Sequence, residues 1–252
     1  MSGYDHANNK VDIGDYDPMD FYAHLASAAY YGADNDAKQE YINKEGFTDW
    51  TVDNELSNMD RTVYYKPKKE GKGHHVIMSN RGTDLNNETG NRGRNMLTDA
   101  GIFFGVEPRM QRFKDANTEF LKMREKYGTE SNYAVGGHSL GSSQSMYLNR
   151  RYGVEGHQHN PGASFSHMRT NVISRAMCWA NPNWSSCKAA DNNTIYHTVG
   201  DPVSTASIVG RDKKQFTNSD GKAIERDMGK VARYNPHGLE HFYKKYQKKS
   251  KK

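Results

Sequence analysis

The 252-residue chain has little of what usually builds a core or crosses a membrane. It holds only 8 Leu, 8 Ile, 12 Val and 9 Phe, a share low enough to signal disorder if net charge were also high. Net charge is only +5, however, and 16 Tyr and 11 Met can fill the space that aliphatic side chains leave. A folded, polar-surfaced globule is therefore expected. No run approaches the roughly 18 apolar residues of a transmembrane helix. The opening MSGYDHANNKVDIGDYDP has neither a basic n-region nor an apolar h-region, so no secretory signal is read and a cytoplasmic protein is expected. Cys178 and Cys187 are too few for a disulfide framework. Their spacing would permit one bridge, but they read more simply as free thiols of an intracellular protein. There is no internal repeat and no linker long enough to split the chain.

The basic charge is unevenly placed. Lys244, Lys245, Lys248, Lys249, Lys251 and Lys252 fall in a terminal stretch without an acid, and removing these six takes the net charge from +5 to −1. The basic isoelectric point thus belongs to the tail. A nucleic-acid-binding body should carry basic residues on its folded surface, and the remaining balance argues against that partner.

Three segments follow: a polar, loosely held N-terminal segment (1–16), one domain (17–243) and a lysine-rich tail (244–252). Asp17-Pro18 is a helix start, with Phe21, Leu25, Ala28 and Ala29 at helical spacing and Gly32 as the stop. Arg61–Lys66 and His74–Asn80 read as strands joined by the turn Pro67–Gly73. Residues 84–95 form a polar loop. Pro108 opens a helix on which Met110, Phe113, Ala116, Phe120 and Met123 share one face, and Gly128 closes it. Tyr133–Gly136 fits a buried strand, followed by a helix from Leu140 to Arg151. Val154–His159 and Thr194–Val199 are further strands, and 211–230 reads as a polar surface insertion. Strands alternating with helices predict an α/β fold with a mostly parallel sheet.

Gly137-His138-Ser139-Leu140-Gly141 is a G-x-S-x-G. The pattern alone is weak, but it falls between a predicted strand and a predicted helix, the setting of a nucleophile elbow. A serine hydroxyl needs a base, and the base needs an orienting carboxylate. Asp201, in the Gly200-Asp201-Pro202 turn that ends a predicted strand, is the candidate acid, with Asp191 the weaker choice. Downstream of Asp201 only His237 and His241 remain, and His237, in the loop Asn235-Pro236-His237-Gly238, is the candidate base.

Together these residues resemble the class 3 lipase family of α/β-hydrolases. Gly136-Gly137-His138-Ser139-Leu140-Gly141 resembles that family's elbow. Arg81-Gly82-Thr83 resembles its oxyanion element and Asn95-Met96-Leu97-Thr98-Asp99 its N-W-L-T-D segment. Gly200-Asp201-Pro202-Val203 and His237–Phe242 resemble the segments that carry the acid and the histidine, in the same order over residues 20 to 243. Glu55-Leu56-Ser57-Asn58, Gln111–Lys114 and His159-Asn160-Pro161-Gly162 resemble elements of short lipase-like proteins of large DNA viruses. The resemblance implies an α/β-hydrolase fold and a serine ester hydrolase of lipase, phospholipase or carboxylesterase type. Ser139 would attack, His237 would act as base and Asp201 would hold it. The Leu140 N–H and Thr83 would bind the oxyanion, without metal or cofactor. A virion-associated location is a further implication. Three departures stand out: Asn80 replaces an aromatic, Ser142 replaces a glycine, and no apolar lid follows Thr83. They leave open a non-catalytic scaffold that binds a virion or membrane surface.

Other signals read as structural. Adjacent His74 and His75 would point to opposite strand faces, and His157 and His159 would share a face without an acidic or Cys partner at ligand spacing. Arg81 reads as a packing or ion-pair residue, Arg92 and Arg94 as solvated, and Asp99 as ordering its loop. The lysine tail is either a solvated end or an anchor to anionic lipid.

Overall fold

The structure, a computed structural model, describes residues 10–82, 111–162, 192–198, 213–216 and 238–243. Its elements in chain order are α1 (Pro18–Ala28), a 3-10 turn (Ala29–Tyr31), α2 (Asn35–Lys44), β1 (Thr51–Val52), β2 (Arg61–Pro67) and β3 (His74–Asn80). Then come α3 (Gln111–Tyr127), β4 (Asn132–His138), α4 (Leu140–Tyr152), β5 (Glu155–His159), β6 (Asn193–His197), β7 (Lys213–Phe216) and a 3-10 turn (Leu239–Phe242).

The seven strands lie side by side in chain order. β1, β2 and β3 pair antiparallel, and β3 through β7 pair parallel. The protein is therefore of mixed α/β class with a mostly parallel sheet. The alternation of side chains along each strand separates two apolar layers. Ile77, Tyr64 and Ala134 pack on one side with Phe21, Leu25, Ile42 and Trp50. Val63, Val76, Met78, Tyr133 and Val135 pack on the other with Ala116, Phe120, Met123 and Leu148.

Local signals explain the helix ends. The Asp17 side chain accepts from the Asp20 N–H, and that of Asp34 from the Ala37 N–H, so both helices start on an acidic N-cap. Gly32, Gly128 and Gly153 have φ of 70°, 74° and 65° where a helical segment ends, a conformation that glycine adopts without steric cost.

Two expectations need correcting. The run 211–230 is not wholly a surface insertion, because Lys213–Phe216 pairs parallel with β6 as β7. Its polar sequence hides a strand that is held by ladder hydrogen bonds. The N-terminal segment, from residue 10 on, is docked rather than loose. The Val11 N–H donates to Glu155 Oε2 at 3.0 Å, the Asp12 N–H to His75 Nδ1 at 3.2 Å, and Asn132 Nδ2 to the Lys10 carbonyl at 2.7 Å. Among the described residues no helix is long and apolar enough to cross a membrane. Cys178, Cys187, Pro108, the 84–95 loop and the lysine tail lie outside the described residues.

Candidate active site

β4 ends at His138 and α4 begins at Leu140, so Ser139 alone makes the turn. Its backbone has φ 55° and ψ −124°, and only one other described non-glycine residue, Asn160 at φ 42°, has positive φ. Such a conformation costs about 1–3 kcal/mol and persists only where the surroundings over-determine it. Here they do. The Ser139 N–H donates to the His159 carbonyl at 3.1 Å, and the Ser139 carbonyl accepts from the Ser143 and Gly162 N–H groups at 3.3 and 3.2 Å. Ser139 itself is half-buried.

Glycines permit the turn to form. A Cβ on Gly137 would stand 2.6 Å from the Asn80 carbonyl oxygen and 2.7 Å from the Gly141 carbonyl carbon. A Cβ on Gly141 would stand 2.0 Å from the same Asn80 oxygen. β3, β4 and α4 thus approach backbone to backbone. Two residues beyond the end of β3, a Cβ on Gly82 would meet the Tyr30 hydroxyl at 2.5 Å and Ser139 Cβ at 3.1 Å. Arg81-Gly82 therefore borders the serine turn.

Two departures from the family pattern find partners. Asn80 is fully buried and donates from Nδ2 to Ser145 Oγ at 2.9 Å. The Ser142 hydroxyl donates to the Gly137 carbonyl at 2.6 Å, while the His159 N–H donates to Ser142 Oγ at 3.1 Å. Each polar replacement thus ties strand to α4, Asn80 through the Ser145 hydroxyl and Ser142 through the Gly137 carbonyl.

The chemistry open to this arrangement follows from its position. Ser139 stands at the carboxyl end of a central parallel strand, where sites of open α/β sheets lie. The first N–H groups of α4 lack intrahelical acceptors and carry the positive end of the helix dipole. Leu140 supplies the first of them, and its buried side chain packs on Phe113.

Thr83, Asp201 and His237 lie outside the described residues, as do Asp191, Asp99, Arg92 and Arg94. What borders three of them is placed. Gly82, before Thr83, touches the serine turn. Thr198, three residues before Asp201, is tied to Asn160. Its N–H donates to Asn160 Oδ1 at 2.8 Å, and Asn160 Nδ2 donates to Thr198 Oγ1 at 3.0 Å. Leu239 and Phe242, just after His237, pack with Ala23, Ala26 and Tyr196, and Phe242 lies edge-on to His159, with ring centroids 4.8 Å apart. Thr198 and the Leu239–Phe242 turn thus lie by the ends of β5 and β6.

No family model and no curated protein matches the chain.

The histidines His74, His75, His157 and His159 have structural partners. His75 Nδ1 accepts from the Asp12 N–H, and His74 packs against the Tyr65 and Tyr127 rings, so the pair faces opposite ways. His157 bonds Tyr196 and Glu155 and stacks on Tyr22 at 3.8 Å. His159 Nε2 lies 2.9 Å from the Met19 carbonyl, and burial pushes its pKa down to about 3. Motif reading missed Tyr30, whose hydroxyl lies 2.8 Å from His138 Nδ1 beside the serine turn, and the turn role of Asn160. The Tyr30-Tyr31 pair at a helix end gave no signal of that contact.

Proposed function

We propose that the protein is a serine ester hydrolase of α/β-hydrolase architecture that cleaves lipid or small acyl esters. The carrying observation is the strained backbone of Ser139, which turns the chain from β4 into α4 at φ 55° and ψ −124° and is held by three backbone hydrogen bonds to His159, Ser143 and Gly162. Strain of this kind concentrates at functional sites because a hydroxyl clear of its own backbone is worth keeping.

The reaction runs through residues in named roles. His237 takes the proton of the Ser139 hydroxyl while Asp201 fixes the imidazole tautomer. The Ser139 oxygen attacks the ester carbonyl, whose oxygen becomes an anion held by the Leu140 N–H and by Thr83. The alcohol leaves with the proton from His237. Water, deprotonated by the same histidine, then attacks the acyl-enzyme and releases the acid. Loss of one oxyanion donor costs roughly 100- to 1,000-fold in turnover.

The test pairs fluorophosphonate labelling with hydrolysis of p-nitrophenyl esters of graded chain length. Wild type should label at Ser139 and turn over, and Ser139→Ala should do neither, losing about 10,000-fold or more in kcat. Activity that survives this substitution sinks the assignment of Ser139, and a wild type that neither labels nor turns over leaves a non-catalytic scaffold.

A further inference from the structure

Among the described residues two non-glycines have positive φ, Ser139 at 55° and Asn160 at 42°, and they stand side by side. His138 and His159 form the last register pair of β4 and β5, and Ser139 and Asn160 each follow it directly. Asn160 is fully buried, and its N–H donates to the Tyr196 carbonyl on β6 at 2.9 Å.

The turn at Asn160 brings two groups onto one residue. The carbonyl of His159, just before it, accepts from the Ser139 N–H at 3.1 Å, and the N–H of Gly162, two residues after it, donates to the Ser139 carbonyl at 3.2 Å. Along an extended strand residues 159 and 162 would stand about 10 Å apart, too far for both to reach the same serine. The left-handed backbone at Asn160 breaks that path. The Ser143 hydroxyl fastens the far side of the turn by donating to the Gly162 carbonyl at 3.3 Å.

Glycine would adopt this φ without steric cost. Asparagine tolerates it better than most residues with a Cβ, and it supplies what glycine lacks. Its amide is acceptor and donor at once, and both ends go to Thr198. The Thr198 N–H donates to Oδ1 at 2.8 Å, and Nδ2 donates to Thr198 Oγ1 at 3.0 Å. The turn is thereby clamped to the chain that leaves β6, in a buried place where an unfilled amide would be costly.

We propose that Asn160 is a positioning residue for Ser139: its turn grips the serine by both N–H and carbonyl, and its side chain locks that grip to the β6 end through Thr198. That the held serine attacks an ester rests on the hydrolase reading. The grip itself does not.

The experiment joins a stability cycle to kinetics, both on the full chain. Ser139→Gly relieves the positive φ of the serine and should raise the Tm of wild type by about 2–4 °C. In an Asn160→Gly background, where the grip has slackened, the same substitution should raise Tm by about half as much or less. If Asn160→Gly does not fold, Thr198→Val, which deletes only the hydroxyl end of the clamp, serves as the background. No gain in wild type, or equal gains in both backgrounds, overturns the proposal. On p-nitrophenyl esters, Asn160→Gly and Thr198→Val should lower kcat about 10- to 100-fold at unchanged KM, and slow fluorophosphonate labelling with it. Thr198→Ser, which keeps the hydroxyl, should restore both. An active wild type whose kcat these variants leave unmoved also overturns the proposal, because Asn160 would then serve packing alone. A wild type that neither labels nor turns over rejects the hydrolase reading instead, and the Tm cycle still decides the grip.

Discussion

The Asn80 carbonyl oxygen and Gly141 lie so close that a methyl group on the glycine would stand 2.0 Å from that oxygen. This contact sets the distance between the end of β3 and the first turn of α4, and with it the shape of the Ser139 turn. Gly141→Ala should therefore force strand and helix apart. Overpacking of this kind costs about 1–3 kcal/mol, and backbone on both sides puts this case at the upper end. Urea unfolding of Gly141→Ala beside wild type measures it, and an unchanged midpoint would refute the close approach.

Ser139→Gly should have the opposite effect on stability. Its φ of 55° burdens any residue with a Cβ. Glycine relieves that strain, though it gives back part of the gain through its extra unfolded-state entropy. The net expectation is about 1 kcal/mol of stabilisation, or a Tm rise of about 2–4 °C, together with loss of fluorophosphonate labelling. Ser139→Ala should lose labelling without the stability gain. Equal Tm values for the two variants would show that the turn stores no strain.

Much of this architecture was legible because the sequence repeats one message at several levels. His74–Asn80 coincides with β3, and Leu140 opens α4 as expected. In both cases glycines punctuate an apolar pattern. α2 was not legible, since only Lys38 and Ile42 on it are buried, and a buried lysine gives no periodic signal. β7 escaped because its residues, Lys-Lys-Gln-Phe, alternate in no useful way. The elbow was readable because it needs glycine on both sides of a serine. The Tyr30–His138 contact was not, because it joins residues 108 apart in sequence.

Tyr30→Phe tests that contact. It removes the hydroxyl 2.8 Å from His138 Nδ1 while keeping the ring. One such hydrogen bond contributes about 0.5–1.5 kcal/mol, and more if a buried partner is left unpaired. Stability should fall by that amount. Because the hydroxyl borders Gly82, esterase kcat should fall while KM holds. A stability loss with kinetics unchanged would make Tyr30 a packing residue only.

The lysine tail, read from the sequence as either a solvated end or an anchor to anionic lipid, makes a separate prediction. Near such a surface each lysine contributes about 1 kcal/mol, weakened by salt. Sedimentation with phosphatidylserine vesicles should retain the full chain at low salt, release it at high salt and fail to retain a chain lacking 244–252. Retention indifferent to both changes would assign the tail to solvent.

His159 makes acid the weak side of this fold. Its ring is fully buried against the Met19 carbonyl, and burial pushes its pKa down to about 3 from an ordinary 6.5. Between those two values the unfolded chain binds a proton there and the folded chain does not. Stability from this group is therefore full above pH 6.5 and falls as pH drops toward 3, by about 1.4 kcal/mol per pH unit for one proton. Glu155 adds to the loss only lower down. Burial raises its pKa, but the hydrogen bond and charge of His157 outweigh that and hold it below 4.5, so its contribution is present above 4.5 and lost beneath. The window from pH 6.5 to 4.5 thus separates His159 from Glu155. In it His159→Gln, which can still donate to the Met19 carbonyl, should show a shallower decline of unfolding free energy than wild type. Parallel decline in the two proteins would mean that His159 does not stay neutral in the folded state.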